Sequence, residues 1–236
     1  MEELRQLWKK PAHWYAVGRD YWLKQEASVE GVLGGFGRLN ETDAKGSQMF
    51  LDQIKKKGFI NTGSLHALDC GAGIGRVTKE FLIRNFQVVD LVEPADNLLN
   101  QARIELESLT HYDHTGEICK VRNFFLAPLQ NFVPEHTYDV IWAQWVLLYL
   151  TDSDLIEFFK RCKQALRPGG VICFKENVIM SESSCIVDNE DCSVTRRVDE
   201  YRALANEAGL KVIVQMRQSL WPSEVYPVVM FACVPA

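Results

Sequence analysis

Leu65-His66-Ala67-Leu68-Asp69-Cys70-Gly71-Ala72-Gly73-Ile74-Gly75-Arg76-Val77-Thr78 is the stretch on which the reading of the fold turns. The apolar run that closes on Asp69 reads as a buried parallel strand. Gly71, Gly73 and Gly75 then permit a tight turn, and Val77 to Phe81 open a helix. Glycine is needed where a Cβ would block a bound ligand or where φ must be positive. The next apolar run, Val88-Val89-Asp90-Leu91-Val92, ends at Glu93. That acid lies about 20 residues past the glycines, where a carboxylate can accept from both hydroxyls of a ribose.

The spacing is G-x-G-x-G with an acid two positions ahead. It is not the G-x-G-x-x-G of dinucleotide-binding turns. The form D-x-G-x-G-x-G resembles motif I of the class I S-adenosylmethionine (SAM)-dependent methyltransferases. The resemblance implies SAM as cofactor, with S-adenosylhomocysteine as its product. The glycine spacing speaks against an NAD oxidoreductase, and Glu93 speaks against a turn that merely packs a helix on a sheet.

Downstream the pattern alternates. Strand 65–70, helix 74–84, strand 87–93, helix 95–109 and strand 120–125 come first. Strand Tyr138 to Gln144 and helix Asp152 to Leu166 follow, then a break at Arg167-Pro168-Gly169-Gly170 and strand Val171 to Lys175. This βαβ repetition implies a mostly parallel sheet with right-handed crossovers. A helix over Tyr201 to Ala208 ends at Gly209. The last runs, Leu210 to Met216 and Pro227 to Val234, are expected to pair antiparallel at one sheet edge. The fold class is α/β, a Rossmann-like seven-stranded sheet of the class I methyltransferase kind with an antiparallel C-terminal edge.

Upstream, residues 1 to about 27 carry Trp8, Trp14, Tyr15, Tyr21 and Trp22, with Trp14, Val17 and Tyr21 at helical spacing. One or two short helices are expected, either packed on the core or capping an active site. Gly31-Val32-Leu33-Gly34-Gly35-Phe36-Gly37 has too many glycines for a good helix or strand. It reads as a packed loop that approaches a ligand backbone first. Asp43 to Lys57 reads as an amphipathic helix with Met49, Phe50, Leu51 and Ile54 inward, closed by Gly58. The expected division is an N-terminal cap with a substrate loop over 1–60 and a methyltransferase core over 61–236.

Bulk composition fits this plan. The 236 residues are 47% hydrophobic and 24% charged, normal for an enzyme of one α/β domain with an extension. A net charge of −5 makes nucleic acid an improbable partner. The 7 cysteines include no C-x-x-C pair and several sit in apolar runs. They read as small core residues in a reducing compartment, with no disulfide and no metal site. Neither a signal peptide nor a membrane span is read, so a cytoplasmic monomer is expected.

Ligands of open α/β sheets sit beyond the carboxyl ends of the strands. Those ends supply Gly71, Gly73 and Arg76; Glu93; Ala127-Pro128-Leu129-Gln130; Gln144-Trp145-Val146; and Glu176-Asn177. Arg76 falls in the first turn of a helix, where the macrodipole disfavours a cation. It makes sense facing the cofactor's carboxylate, or as a surface Arg paired with an acid. Trp145 reads as a site residue or a partly buried core Trp.

Several further segments together resemble the protein α-N-terminal methyltransferases, which modify the free amine of Xaa-Pro-Lys/Arg N-termini. They are Tyr21-Trp22, Gly31 to Gly37, Leu68 to Arg76, Tyr138 to Trp145, Lys175-Glu176-Asn177, Asp191 to Arg196 and Tyr226-Pro227-Val228. The resemblance runs from about residue 15 to the C-terminus. It implies that Gly71, Arg76, Glu93, Leu129, Gln130 and Gln144 hold SAM. It implies a peptide channel with Trp22, Leu33 and Gly34 at the mouth and Trp145 on the N-terminal residues. Asn177 lies near the amine, Asp188, Asp191 and Ser193 receive the third-position base or assist the amine, and Tyr226 shares their wall. Nuclear as well as cytoplasmic residence is part of the same implication. The chain departs from the pattern at Leu147-Leu148-Tyr149-Leu150, where many members carry Gly-His-Leu.

The chemistry tolerates that departure. Methyl transfer needs a neutral amine. An α-amine with pKa near 7.8 loses its proton at pH 7 for about 1 kcal/mol, against about 4.6 for a lysine side chain. A weak base suffices, with Asp191 as acceptor, Tyr149 orienting and Asn177 alongside. Two rivals stay open on sequence alone: a methyltransferase of a small amine or acid, and a SAM-binding partner protein with weak catalysis.

Overall fold

The computed structural model describes residues 7–60, 65–107, 109, 111–112, 116, 118–180 and 185–236. The expected boundary between 60 and 61 falls at residues 61–64, outside the described residues.

Strands β1 (His66–Cys70), β2 (Val88–Glu93), β4 (Ile118–Leu126), β5 (Tyr138–Gln144) and β6 (Leu166–Ile179) run parallel in the order β4-β2-β1-β5-β6. β10 (Val228–Pro235) joins β6 antiparallel and is flanked by β9 (Leu210–Arg217), so the C-terminal pair forms one edge as expected. β3 (His111–Tyr112) pairs antiparallel with β4 at the other edge. A short hairpin, β7 (Ile186–Asp188) and β8 (Ser193–Arg197), extends from the end of β6.

Alternation along β5 explains the layers. Ile141 and Ala143 pack with Leu155, Phe158 and Phe159 of α6 (Asp152–Gln164) and Tyr201 of α7 (Val198–Glu207). Val140 and Trp142 pack on the opposite face with Phe50, Leu51 and Ile54 of α3 (Asn40–Lys56) and Ala102 and Leu106 of α5 (Asp96–Leu106). A strand buried on both faces carries apolar residues at successive positions, as β5 does. Phe174 stacks on its register partner Phe231 with centroids 4.6 Å apart, a contact that joins β10 to the sheet.

Four expectations need correction. Met49 is 56% exposed because it falls off the α3 stripe that Phe50, Leu51 and Ile54 define. The glycine-rich run opens with one helical turn, α2 (Val29–Val32), capped by Ser28 Oγ accepting from Gly31 N at 3.1 Å. Gly31 is needed inside it because a Cβ there would stand 2.1 Å from the Glu26 carbonyl oxygen. Arg167 to Gly170 do not break the chain but lie in β6, where a Gly170 Cβ would come 2.9 Å from Tyr138 O. Helix 74–84 divides into α4 (Arg76–Glu80) and a 3-10 turn over Leu82–Arg84. The aromatic N-terminal segment forms α1 (Pro11–Lys24).

Gly75 precedes α4 with φ +76°, and a Cβ there would lie 2.5 Å from Leu106 Cδ1. Gly58 has a similar φ of +79° but no neighbour within 4 Å of a Cβ among the described residues. Denaturant unfolding of Gly75→Ala is expected to show a loss of about 2–3 kcal/mol, against about 1 for Gly58→Ala. Equal losses would mean that α5 yields freely and the turn is not sterically fixed.

Candidate active site

A cavity of about 1360 Å³ opens beyond the carboxyl ends of the parallel strands. Pockets for one small ligand fall near 300–1,000 Å³, so this one has room for a cofactor and part of a second substrate. Of the residues singled out from sequence, Gly71, Gly73, Arg76, Glu93, Leu129, Gln130, Gln144, Trp22, Leu33, Trp145, Tyr149, Asn177, Asp188, Asp191, Ser193 and Tyr226 line it. Gly34 does not. It occupies a turn at φ +56°, where a Cβ would have no neighbour within 4 Å among the described residues.

At the glycine end, motif I and Glu93 meet directly. Glu93 Oε2 accepts from Gly73 N and Oε1 accepts from Ala95 N, both at 2.9 Å. Burial pushes the Glu93 carboxyl up to about 7, with the two N–H donors opposing it. A Gly73 Cβ would meet nothing closer than Val32 at 3.9 Å, so this glycine leaves room for a ligand. Gly71 differs, since its Cβ would lie 2.4 Å from Val146 Cγ2, and its φ is +71°. Asp69 holds the helix beyond the turn by accepting from Thr78 Oγ1 at 2.7 Å. Burial raises its carboxyl to about 6.

Arg76 lines the cavity but is also paired. Its Nη1 donates to Asp43 Oδ2 at 2.6 Å and Asn40 Oδ1 at 3.0 Å. The expected surface partner is therefore a buried one, Asp43, which is 1% exposed. Gln144 Nε2 donates to the same carboxylate at 2.8 and 2.9 Å. Lys175, fully buried, contacts Asp43 Oδ1 at 2.5 Å. Sequence reasoning missed Asp43 by reading it as a helix start. The available signal was its spacing, because Asp43 and Ser47 continue the inward stripe of Phe50 and Ile54.

At the other end, Tyr149 donates from its hydroxyl to Asp191 Oδ2 at 3.0 Å. Asp191 Oδ1 is buried with no hydrogen-bond partner among the described residues. Burial raises the Asp191 carboxyl above its usual range, with Ser193 and Tyr149 opposing. Burial and then the Asp191 charge push the Tyr149 phenol well above its ordinary value. Helix α1 covers this pair. Trp14 Nε1 donates to Tyr149 O at 2.7 Å, and the Trp22 ring meets the Tyr149 ring edge-on at 6.2 Å. A Gly18 Cβ would lie 3.0 Å from Asp191 O, so glycine in mid-helix permits the approach. Burial, then the charges of Asp191, Glu190 and Asp188, raise the Tyr21 phenol, which marks the mouth as electronegative.

Two non-glycine residues hold left-handed backbone here, Trp145 at φ +52° and Cys192 at φ +55°. Such strain collects at functional sites. Trp145 lies between Arg76 and Trp221: its ring is 5.5 Å from the Arg76 guanidinium carbon and 6.1 Å from the Trp221 ring. Its indole N–H is buried with no partner among the described residues. Glu176 supports the segment beyond it, with Oε1 accepting from Val146 N at 3.0 Å and Leu147 N at 2.8 Å.

The arrangement matches known proteins. A family described as AdoMet dependent proline di-methyltransferase matches residues 10–234. The N-terminal Xaa-Pro-Lys N-methyltransferase 1 of Bos taurus is 42% identical over 215 residues, covering 91% of this chain and 92% of that protein. The Alpha N-terminal protein methyltransferase 1 of Arabidopsis thaliana is 42% identical over 228 residues, covering 94% and 80%. A SAM-dependent methyltransferase of Leishmania major superposes with TM-score 0.82 at 39% identity, covering 93% of this chain and 82% of that one.

Burial raises the carboxyls of Asp69, Glu93 and Glu176 to about 6, 7 and 8. Between the ordinary carboxylate range and these values the folded state binds the extra protons, so stability falls as pH rises from about 5 to 8. Each group steepens the fall by up to about 1.4 kcal/mol per pH unit. Urea unfolding across that range is expected to show a shallower slope for Glu176→Gln than for the unaltered chain. An unchanged slope would remove Glu176 from the titration.

Proposed function

Because this chain belongs to the family of AdoMet-dependent proline di-methyltransferases, we propose that it methylates the free α-amine of protein N-termini of the Xaa-Pro-Lys/Arg type. It is a SAM-dependent methyltransferase of the class I fold. The observation that carries the substrate reading is that one cavity holds both the Gly73–Glu93 end and the Tyr149–Asp191 end.

The residues present fit the cofactor. Glu93 offers carboxylate oxygens for ribose hydroxyls, Leu129 and Gln130 flank the space for a purine, and Arg76 with Gln144 faces the amino-acid end. When bound, SAM supplies a methyl group on a positively charged sulfur. Asp191 accepts the amine proton, and Tyr149 fixes the carboxylate by donating to its Oδ2. Asn177 and Trp145 orient the first residues. A proline at the second position removes one backbone donor and fixes φ, which lowers the cost of ordering the peptide. The Asp188 to Asp191 mouth receives a substrate carrying about two positive charges through charge-assisted contacts.

Mass spectrometry with SAM and two hexapeptides, Ser-Pro-Lys-Arg-Ile-Ala and its N-acetylated form, tests the reading. Gains of 14 mass units or multiples on the free peptide alone are expected. Gains on both would move the reaction to the lysine side chain, and gains on neither would leave small amines as substrates.

General-base catalysis is worth about 10²–10⁴-fold. Asp191→Asn is expected to lower kcat by about 100-fold, and Tyr149→Phe by about tenfold, with S-adenosylhomocysteine affinity within about twofold of the parent. Steady-state kinetics and calorimetry check this. An Asp191→Asn variant that keeps half its kcat would exclude Asp191 as the base.

A further inference from the structure

We propose that Asp43 is a positioning residue that fixes Arg76 and Gln144 as one unit and so sets the subsite for the cofactor's carboxylate. The inference rests on the reading that Arg76 and Gln144 face the amino-acid end of that cofactor.

Three groups from three different elements converge on this carboxylate. Arg76 comes from α4, Gln144 from the end of β5 and Lys175 from β6. Asp43 Oδ2 takes the Arg76 Nη1 bond at 2.6 Å, while the Gln144 amide nitrogen reaches both oxygens. Gln144 Oε1 in turn accepts from Trp142 Nε1 at 3.2 Å, so the amide is held at both ends and cannot turn over.

Lys175 and Arg76 play different parts. Lys175 Nζ contacts Asp43 Oδ1 at 2.5 Å and donates to Asp43 O at 3.0 Å and Ser47 Oγ at 3.2 Å. It is fully buried and does not line the cavity. Arg76 does line it. Lys175 pairs with Asp43 inside the fold, whereas Arg76 presents its guanidinium to the cavity wall. Asp43 and Asn40 fix where that guanidinium stands. A carboxylate entering from the cavity pairs with it in charge-assisted bonds.

Asp43 also joins the two binding ends. It sits in the first turn of α3, which follows the glycine-rich run through the 3-10 turn Gly37–Leu39. Asn40, one turn earlier on the same helix, supplies the second acceptor for Arg76 at 3.0 Å. The segment that shapes the peptide entrance therefore also orients the cofactor arginine.

Calorimetry with S-adenosylhomocysteine and 5′-methylthioadenosine, which keeps the nucleoside and thioether but lacks the amino-acid part, tests this. The parent is expected to prefer S-adenosylhomocysteine by at least about tenfold, roughly the 1.4 kcal/mol of one charge-assisted contact. Asp43→Asn is expected to erase most of that preference while changing methylthioadenosine binding less than about twofold. It leaves two buried cations without their carboxylate, so a second variant, Asp43→Leu with Lys175→Met, removes one charge of each sign and keeps the net charge. The double variant is expected to fold and to lose the preference as well. No preference in the parent would overturn the placement of Arg76 and Gln144 and the proposal with it. A parent that discriminates alongside variants that still do would overturn the role of Asp43 alone. Restoration of the preference in the double variant would reduce Asp43 to a counter-ion for Lys175. Equal weakening of both ligands would make its role structural.

Discussion

The close approach of Gly71 to Val146 sets the geometry on which the rest of the site depends. No side chain can stand at Gly71, because Val146 occupies the space a Cβ would take. The turn after β1 is thereby packed directly against the chain leaving β5. Glu176 fixes that chain from below through the Val146 and Leu147 N–H groups. Trp145, just before them, is driven into left-handed backbone. Tyr149, three residues on, is aimed at Asp191. One missing methyl group at the cofactor turn so determines where the aromatic wall and the Tyr149–Asp191 pair stand.

Four buried carboxyls show how environment assigns roles to one chemistry. Among the described residues Asp69, Glu93 and Glu176 accept from N–H or hydroxyl donors, and burial dominates and raises each of them. For Asp43 burial also pushes upward, but Arg76 and Lys175 outweigh it and hold the carboxyl below its ordinary value. Neutral donors partly compensate a buried charge, whereas two cations reverse the balance. Asp43 is therefore held as a fixed electrostatic element, while burial raises the Glu93 carboxyl to about 7.

What was legible in the sequence was local. The glycine turn, the acid at the end of β2 and the burial of β1 each follow from a few adjacent residues, and the structure places them as read. What was not legible depends on distant neighbours. Gly31 fits inside a helical turn because of the Glu26 carbonyl, and Gly170 stays in a strand because of Tyr138 O. Composition alone assigned both runs to loop or break. Asp43 and Lys175 meet across 132 residues of chain. Tyr149 and Asp191 meet across 42. Only a resemblance to related chains put the latter pair in one site before the structure did. The inward position of Asp43 on an apolar stripe was the one local sign of a buried charge. Met49 was misplaced by counting apolar residues without following the stripe.

On the proposed reading, the Tyr149–Asp191 pair handles the amine proton in a site without an imidazole at this position. Burial and the neighbouring Asp191 charge keep the Tyr149 phenol protonated throughout the neutral range, so it is always a donor and never competes for the proton. Its fixed hydrogen bond occupies one oxygen of Asp191 and leaves the other without a partner among the described residues. Burial strengthens that carboxylate as a base, and the negative charges at the mouth favour a cationic amine arriving there. An α-amine near pKa 7.8 needs only about 1 kcal/mol to be neutral at pH 7. A weak base held in one direction is enough for that task. The same arrangement falls about 3–4 kcal/mol short for a lysine side chain. On the proposed reading, selectivity for the N-terminus therefore follows from the strength of the base.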